Sequence, residues 1–182
     1  MTVHLPAQAE TEIETGDGVS QADTVAWALG VMQSARDGDA ERLQSLLARG
    51  LPPNLRNGKG DSLLMLACYH GHVEASRVLL ASHADPDLAN DRHQTPLAGA
   101  AFRGALEIAQ LLLDHGATPD AAGPDGRTAL MTAAMFNRIA LIELLLAQGA
   151  DPGRRDVEGH SAEDLARKLG AEEAADLLAA QR

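Results

Sequence analysis

Sliding the chain on itself by 33 residues superposes four Leu pairs, Leu46-Leu47, Leu79-Leu80, Leu112-Leu113 and Leu145-Leu146. The same step aligns four prolines, Pro53, Pro86, Pro119 and Pro152. It also aligns Ala67, Ala100 and Ala133, and then Gly38, Gly71 and Gly104, with Asn137 in the glycine's place in the fourth copy. A period of this length means that one small unit is stacked several times, because no single unit of that size can bury its own apolar face.

The residues at fixed places in the period say what the unit is. Gly, or Asn as second choice, takes the left-handed conformation that ends a helix and lets the chain reverse. In Thr95-Pro96 the hydroxyl suits a helix N-cap, and the proline suits the first helical position, where its missing N–H is not needed. Ser62, Thr128 and Ser161 repeat the cap. Small Ala allows close approach between helices. The unit therefore reads as cap, short helix, turn, second helix with its Leu pair, then an Asp-Pro or Thr-Pro loop. Aromatics make up only 2% of the chain and Ala and Leu dominate its 45% apolar content, which favours an all-α architecture.

Thr95-Pro96-Leu97, Tyr69-His70-Gly71-His72-Val73-Glu74 and Gly149-Ala150-Asp151-Pro152 resemble the ankyrin-repeat family, over residues 24–182. A tetratricopeptide array would need a 34-residue period with large aromatics inside its helices, and an armadillo array a longer unit. The resemblance implies a solenoid of stacked helix-turn-helix units with short loop tips. The repeats fall at 24–56, 57–89, 90–122, 123–155 and 156–182, the outer two acting as caps. Caps carry more charge, as at Glu163-Asp164 and Glu172-Glu173. The repeat domain spans 23–182, and residues 1–22, with acids and no Lys or Arg, read as a flexible acidic tail. The family pattern closes its cap-and-Pro motif with His, but Met65, Ala98 and Met131 stand there, which predicts a weaker hydrogen-bond network between turn and helix.

Charge and cysteine content narrow the function classes. The formal charge is −11, with 26 acids against 15 bases, which disfavours nucleic acid and anionic lipid as partners. Cys68 is the only cysteine and falls where the repeat packs small core residues, so a buried apolar role is expected. No stretch approaches the ~18 uninterrupted apolar residues of a membrane span, and the start lacks the basic and apolar halves of a secretory signal. The expected compartment is the cytoplasm, and the excess of Arg over Lys and the abundance of Ala match a GC-rich bacterial source.

No catalytic constellation is visible. No Gly-rich phosphate cradle follows a strand and no Gly-x-Ser-x-Gly elbow occurs, so the expectation is a binding protein without catalytic residues, cofactor or metal. His70 and His72 flank Gly71, which breaks the helix between them, and no further Cys or His follows at zinc-site spacing. His72 reads as a hydrogen-bonding turn residue.

The resemblance implies that a protein partner meets a concave face made of the loop tips and the exposed side of each first helix. In this chain the tips lie at 57–61, 90–94, 123–127 and 156–160. Three of the four aromatics, Tyr69, Phe102 and Phe136, fall at the ends of first helices, where Met135 shares the register of the first two. Such residues either form a binding strip or lean over the turns onto the next repeat. Beside them stand His70 and Arg103, and the tips bring Lys59, Asp61, Asp91, Arg92, Gln94, Asp125 and Arg127. With Arg56 included, the bases around the strip outnumber the acids by two, which predicts an acidic, partly apolar protein surface as the ligand of a monomeric adaptor or inhibitor. A scaffold, a chaperone-like escort or a secreted effector acting on host proteins would use the same scaffold.

Overall fold

The computed structural model describes residues 21–181, with side chains from residue 24. Among them are ten helices: α1 Gln21–Asp37, α2 Ala40–Ala48, α3 Leu63–His70, α4 Val73–Ala81, α5 Pro96–Arg103, α6 Leu106–Asp114, α7 Ala129–Met135, α8 Ile139–Ala147, α9 Ala162–Lys168 and α10 Glu172–Ala179. They form five pairs in two layers. The odd-numbered helices stack on one another as an inner layer, and the even-numbered ones as an outer layer. The fold is all-α, and the described residues hold no named strand, only an isolated bridge between Arg56 and Ser62.

The inner helices α3, α5, α7 and α9 each start where a hydroxyl replaces a missing backbone partner. Ser62 accepts from the N–H of Met65 at 3.0 Å, Thr95 from Ala98 at 3.2 Å and Thr128 from Met131 at 3.2 Å. At Ser161 the cap is reciprocal, because the Asp164 carboxylate also accepts from the Ser161 N–H at 2.9 Å. The helices end on left-handed residues, Gly71 at φ 84°, Gly104 at φ 77° and Asn137 at φ 52°. Asn tolerates that region better than other residues with a Cβ, so the fourth copy keeps its turn without glycine.

Ala67, Ala100 and Ala133 are fully buried, as are Leu79, Leu112 and Leu145, the first members of three Leu pairs. These small and branched residues alternate through one continuous core from Val31 to Leu178. Cys68 lies within it, its sulfur 3.6 Å from the Ser76 hydroxyl, and burial pushes its thiol up to about 12.

The first unit departs from the others. α1 has 17 residues against 7 or 8 in the other inner helices, so 24–28, which correspond to the first tip, are helical. The reason is chemical: Thr24-Val25-Ala26-Trp27-Ala28 has none of the Gly, Asn or Asp that turn the chain at 57–61. Val25, Trp27 and Leu29 of this cap are exposed, Trp27 at 48%, and so are its charged Asp37, Asp39, Glu41 and Arg42. The opposite end also carries charge, with Glu172 and Glu173 exposed in the first turn of α10. The acidic tail expected at 1–22 lies outside the described residues, apart from Gln21 and Ala22, which open α1.

Candidate functional site

The inner layer and its tips enclose a groove of about 860 Å³. One wall is built by the last turns of α3, α5 and α7. The Tyr69 and Phe102 rings stack at 5.8 Å with 8° between their planes, and Phe102 meets Phe136 edge to face at 4.9 Å. The edge of Tyr69 also meets His70 at 5.6 Å. The three aromatics therefore pack on their neighbours and still face solvent, with exposures of 44%, 40% and 41%. Met135 lines the groove beside them, and Met65, Ala98, Gly99 and Thr132 form its floor.

The opposite wall is the row of tips, held by residues that the sequence reading passed over. Asn57 Oδ1 accepts the N–H groups of Lys59 and Asp61, at 2.8 and 3.0 Å, and Asn90 Oδ1 accepts those of Arg92 and Gln94, each at 3.0 Å. Asp156 does the same for Glu158 and His160 in the fourth tip. Asn90 Nδ2 then donates to Asp61 at 2.9 Å, joining two tips, while Asn57 Nδ2 donates to the other oxygen of Asp61 at 3.1 Å. Backbone bonds from Asp91 N–H to Lys59 O and from Val157 N–H to Asp125 O add further links. Met65 and Met131, which stand where the family has His, are buried apolar groups, and Asn90 ties its tip to the one before instead. The signal was in the sequence, since Asn57, Asn90 and Asp156 are spaced on the 33-residue period, with Gly123 interrupting the series.

The structure brings most of the predicted side chains together. Lys59, Asp61, Tyr69, His70, Arg92 and Gln94 line the groove, as do Phe102, Asp125, Arg127, Met135 and Phe136. Asp91 and Arg103 do not. Asp91 pairs with Arg56 at 3.2 Å, and Arg56 also donates to Gly60 O and Ala89 O. Asp61 lines the groove but is only 9% exposed, and both its oxygens accept from Asn side chains, so its role there is to hold the tips. Arg36, His93, Leu29 and Met32 complete the groove and were not anticipated. Arg36 stands 33 residues before Tyr69 and so occupies the aromatic position of the first repeat.

The groove's ionic lining is four cations, Arg36, Lys59, Arg92 and Arg127, against the carboxylates of Asp61 and Asp125, on a chain whose net charge is −11. Burial, with the nearby His72, Arg36 and Arg103, lowers the pKa of His70 from its ordinary value, so at neutral pH His70 is an uncharged hydrogen-bonding group. His72 points elsewhere, its Nε2 2.7 Å from the Arg36 carbonyl in the preceding repeat.

Among the described residues one cluster has metal-ligand chemistry, Asp156, Glu158 and His160 in the fourth tip. His160 Nδ1 lies 3.4 Å from Glu158 and 3.6 Å from Asp156 Oδ1. Asp156 Oδ1 already accepts two backbone N–H groups, which, the His160 N–H foremost, lower its pKa, and Arg127 brings positive charge within 3.8 Å of Oδ2. Asp156 Oδ1 is thereby satisfied, while Asp156 Oδ2 and His160 Nδ1 are buried with no hydrogen-bond partner among the described residues.

Comparison with known proteins agrees with this architecture. The family model described as ankyrin repeats (3 copies) matches residues 31–123, and that for a single ankyrin repeat matches 125–157. A Pseudomonas aeruginosa protein described as an ankyrin repeat protein is 51% identical over 65 residues, 36% of this chain and 33% of the relative. The match thus spans about a third of that relative's length. Ankyrin repeats are protein–protein interaction modules and as a rule carry no catalytic machinery. With matches running from residue 31 to 157, the chain belongs to the ankyrin-repeat family.

Proposed function

We propose that this chain is a non-enzymatic adaptor or inhibitor whose concave groove binds an acidic, partly apolar segment of a protein partner. The observation that carries this reading is the aromatic rail. Tyr69, Phe102 and Phe136 form one line across three repeats, each about two-fifths exposed, opposite tips that carry Lys59, Arg92 and Arg127. Burying the rail against an apolar partner removes aromatic surface from water at roughly 25 cal/mol per Å². Arg92 and Arg127 offer forked donors to carboxylates, and the four cations that line the groove of an otherwise acidic protein favour an acidic partner there. Stacking of the rings on one another fixes their rotamers beforehand, so little side-chain entropy is lost on binding.

The test is affinity capture from lysate of the source organism with wild type and with a Tyr69→Ser, Phe102→Ser, Phe136→Ser variant of unchanged helicity. The reading expects a protein retained by wild type and lost by the variant. Equal retention by the folded variant would place binding on another face.

A further inference from the structure

We propose that residues 1–20 of this same chain occupy the groove in cis and compete with the partner. The inference rests on the groove reading above and adds its regulation. The first observation is charge complementarity. Residues 1–20 contain Glu10, Glu12, Glu14 and Asp17 and no Lys or Arg, whereas the tip wall presents Lys59, Arg92 and Arg127.

The second observation is that the segment is two-sided in the way the groove is two-walled. In an extended chain, alternate side chains point to opposite sides. Glu10, Glu12 and Glu14 would then share one side, towards the tip cations, with Ile13 on the other, towards the aromatic rail. The three acids of that side, Glu10 to Glu14, span four extended residue steps, about 13 Å at 3.3 Å per residue, enough to reach the cations of two neighbouring repeats, with Asp17 on the opposite side. Three cations on successive repeats, with helices packed 8–10 Å apart, cover roughly 20 Å.

The third observation is where the segment joins the fold. Inner helices begin at the tip side of the groove, and α1 extends beyond its equivalents in that direction, with Leu29 at the groove's edge and Gln21 about 12 Å further along at 1.5 Å per residue. Returning that distance takes about four extended residues. The acidic run therefore arrives at the tip wall without crossing the outer layer. A short tether gives the segment an effective concentration near 1 mM, so even a dissociation constant of about 0.1 mM in cis weakens an external ligand roughly tenfold.

The test uses the full chain in two measurements. A nitroxide is attached at T11C, the buried Cys68 staying unlabelled, and paramagnetic broadening of the Tyr69, Phe102 and Phe136 ring resonances is recorded. Broadening that is independent of protein concentration and is abolished by K59E/R92E/R127E is the expected result. Broadening confined to the outer helices, or arising only between labelled and isotope-enriched molecules, as for a second copy, overturns self-occupancy. The second measurement titrates a synthetic peptide of alternating Glu and Ile into wild type and into E10Q/E12Q/E14Q/D17N. About tenfold tighter binding to the neutralised variant is expected. Equal affinity, with no ring broadening, overturns self-occupancy and leaves the groove reading intact. Absence of peptide binding to either protein removes the groove reading and this inference with it.

Discussion

Asn90 shows how one side chain can set the geometry of a binding face. Its carbonyl oxygen accepts two N–H groups of its own tip while its amide donates to Asp61 in the tip before, so replacement leaves buried groups of two repeats unpaired. Asn90→Ala should destabilise the fold by about 1–3 kcal/mol, read as a lower urea midpoint at unchanged slope. Gly60 has a comparable role by absence. It sits at φ 73°, and a Cβ there would run into the Arg56–Asp91 pair. The helix-ending glycines Gly71 and Gly104 were legible as turn formers, and Cys68 as a core residue. The tying role of Asn90 was not, because a polar residue in a loop has many uses and only its partner in the neighbouring repeat distinguishes them. With its sulfur buried and its thiol pushed up to about 12, Cys68 should resist an aqueous maleimide in the native state and react after unfolding, as mass spectrometry would record.

Among the helices, caps and turns were the most legible features, since each rests on one residue and its immediate neighbours. Ser62, Thr95, Thr128 and Ser161 cap as their spacing predicts. Thr128→Ala should remove about 1 kcal/mol, measured as a lowered melting temperature, while Thr128→Ser should restore most of it. α1 was less legible. The period carries over from copy to copy only while the turn residues do, and without them the helix runs through the position of a tip. The last unit makes an acid-sensitive element. The N–H and hydroxyl of Ser161, then Arg155, hold the Asp164 carboxyl below its ordinary value, and the His160 N–H chiefly does so for Asp156. A depressed folded-state pKa contributes stability that is fully present above the unfolded-state value near 3.9 and is lost as pH falls through the lowered one. Protection of α9 and α10 against hydrogen exchange, relative to the intrinsic rate at each pH, should therefore fall below about pH 4, and Asp164→Asn should flatten that dependence.

Over the whole molecule, a stack of nearly identical units produces a face whose rows run across the repeats. Tyr69, Phe102 and Met135 keep one register because each inner helix repeats the last, and the tips keep another. That is why eleven of the thirteen side chains assigned to this face from spacing line the groove; Asp91, drawn to Arg56 of the preceding unit, does not, and neither does Arg103. Arg36 escaped notice for a related reason. The first repeat has a cation where the next two have rings, so it adds charge at one end of the rail and should bias an acidic ligand's direction along it. The ionic component predicts that affinity for the partner falls as salt rises, and that charge reversal at Arg92 and Arg127 removes most of this dependence while helicity is kept.

The most direct measurement is hydrogen exchange on the captured complex, compared with the free protein. Binding in the groove predicts new protection at the ends of α3, α5 and α7 and in the tips around Lys59, Arg92 and Arg127, with the outer helices α4, α6 and α8 unchanged. Protection on those outer helices, with the groove exchanging as in the free protein, would contradict the assignment of the concave face as the binding surface.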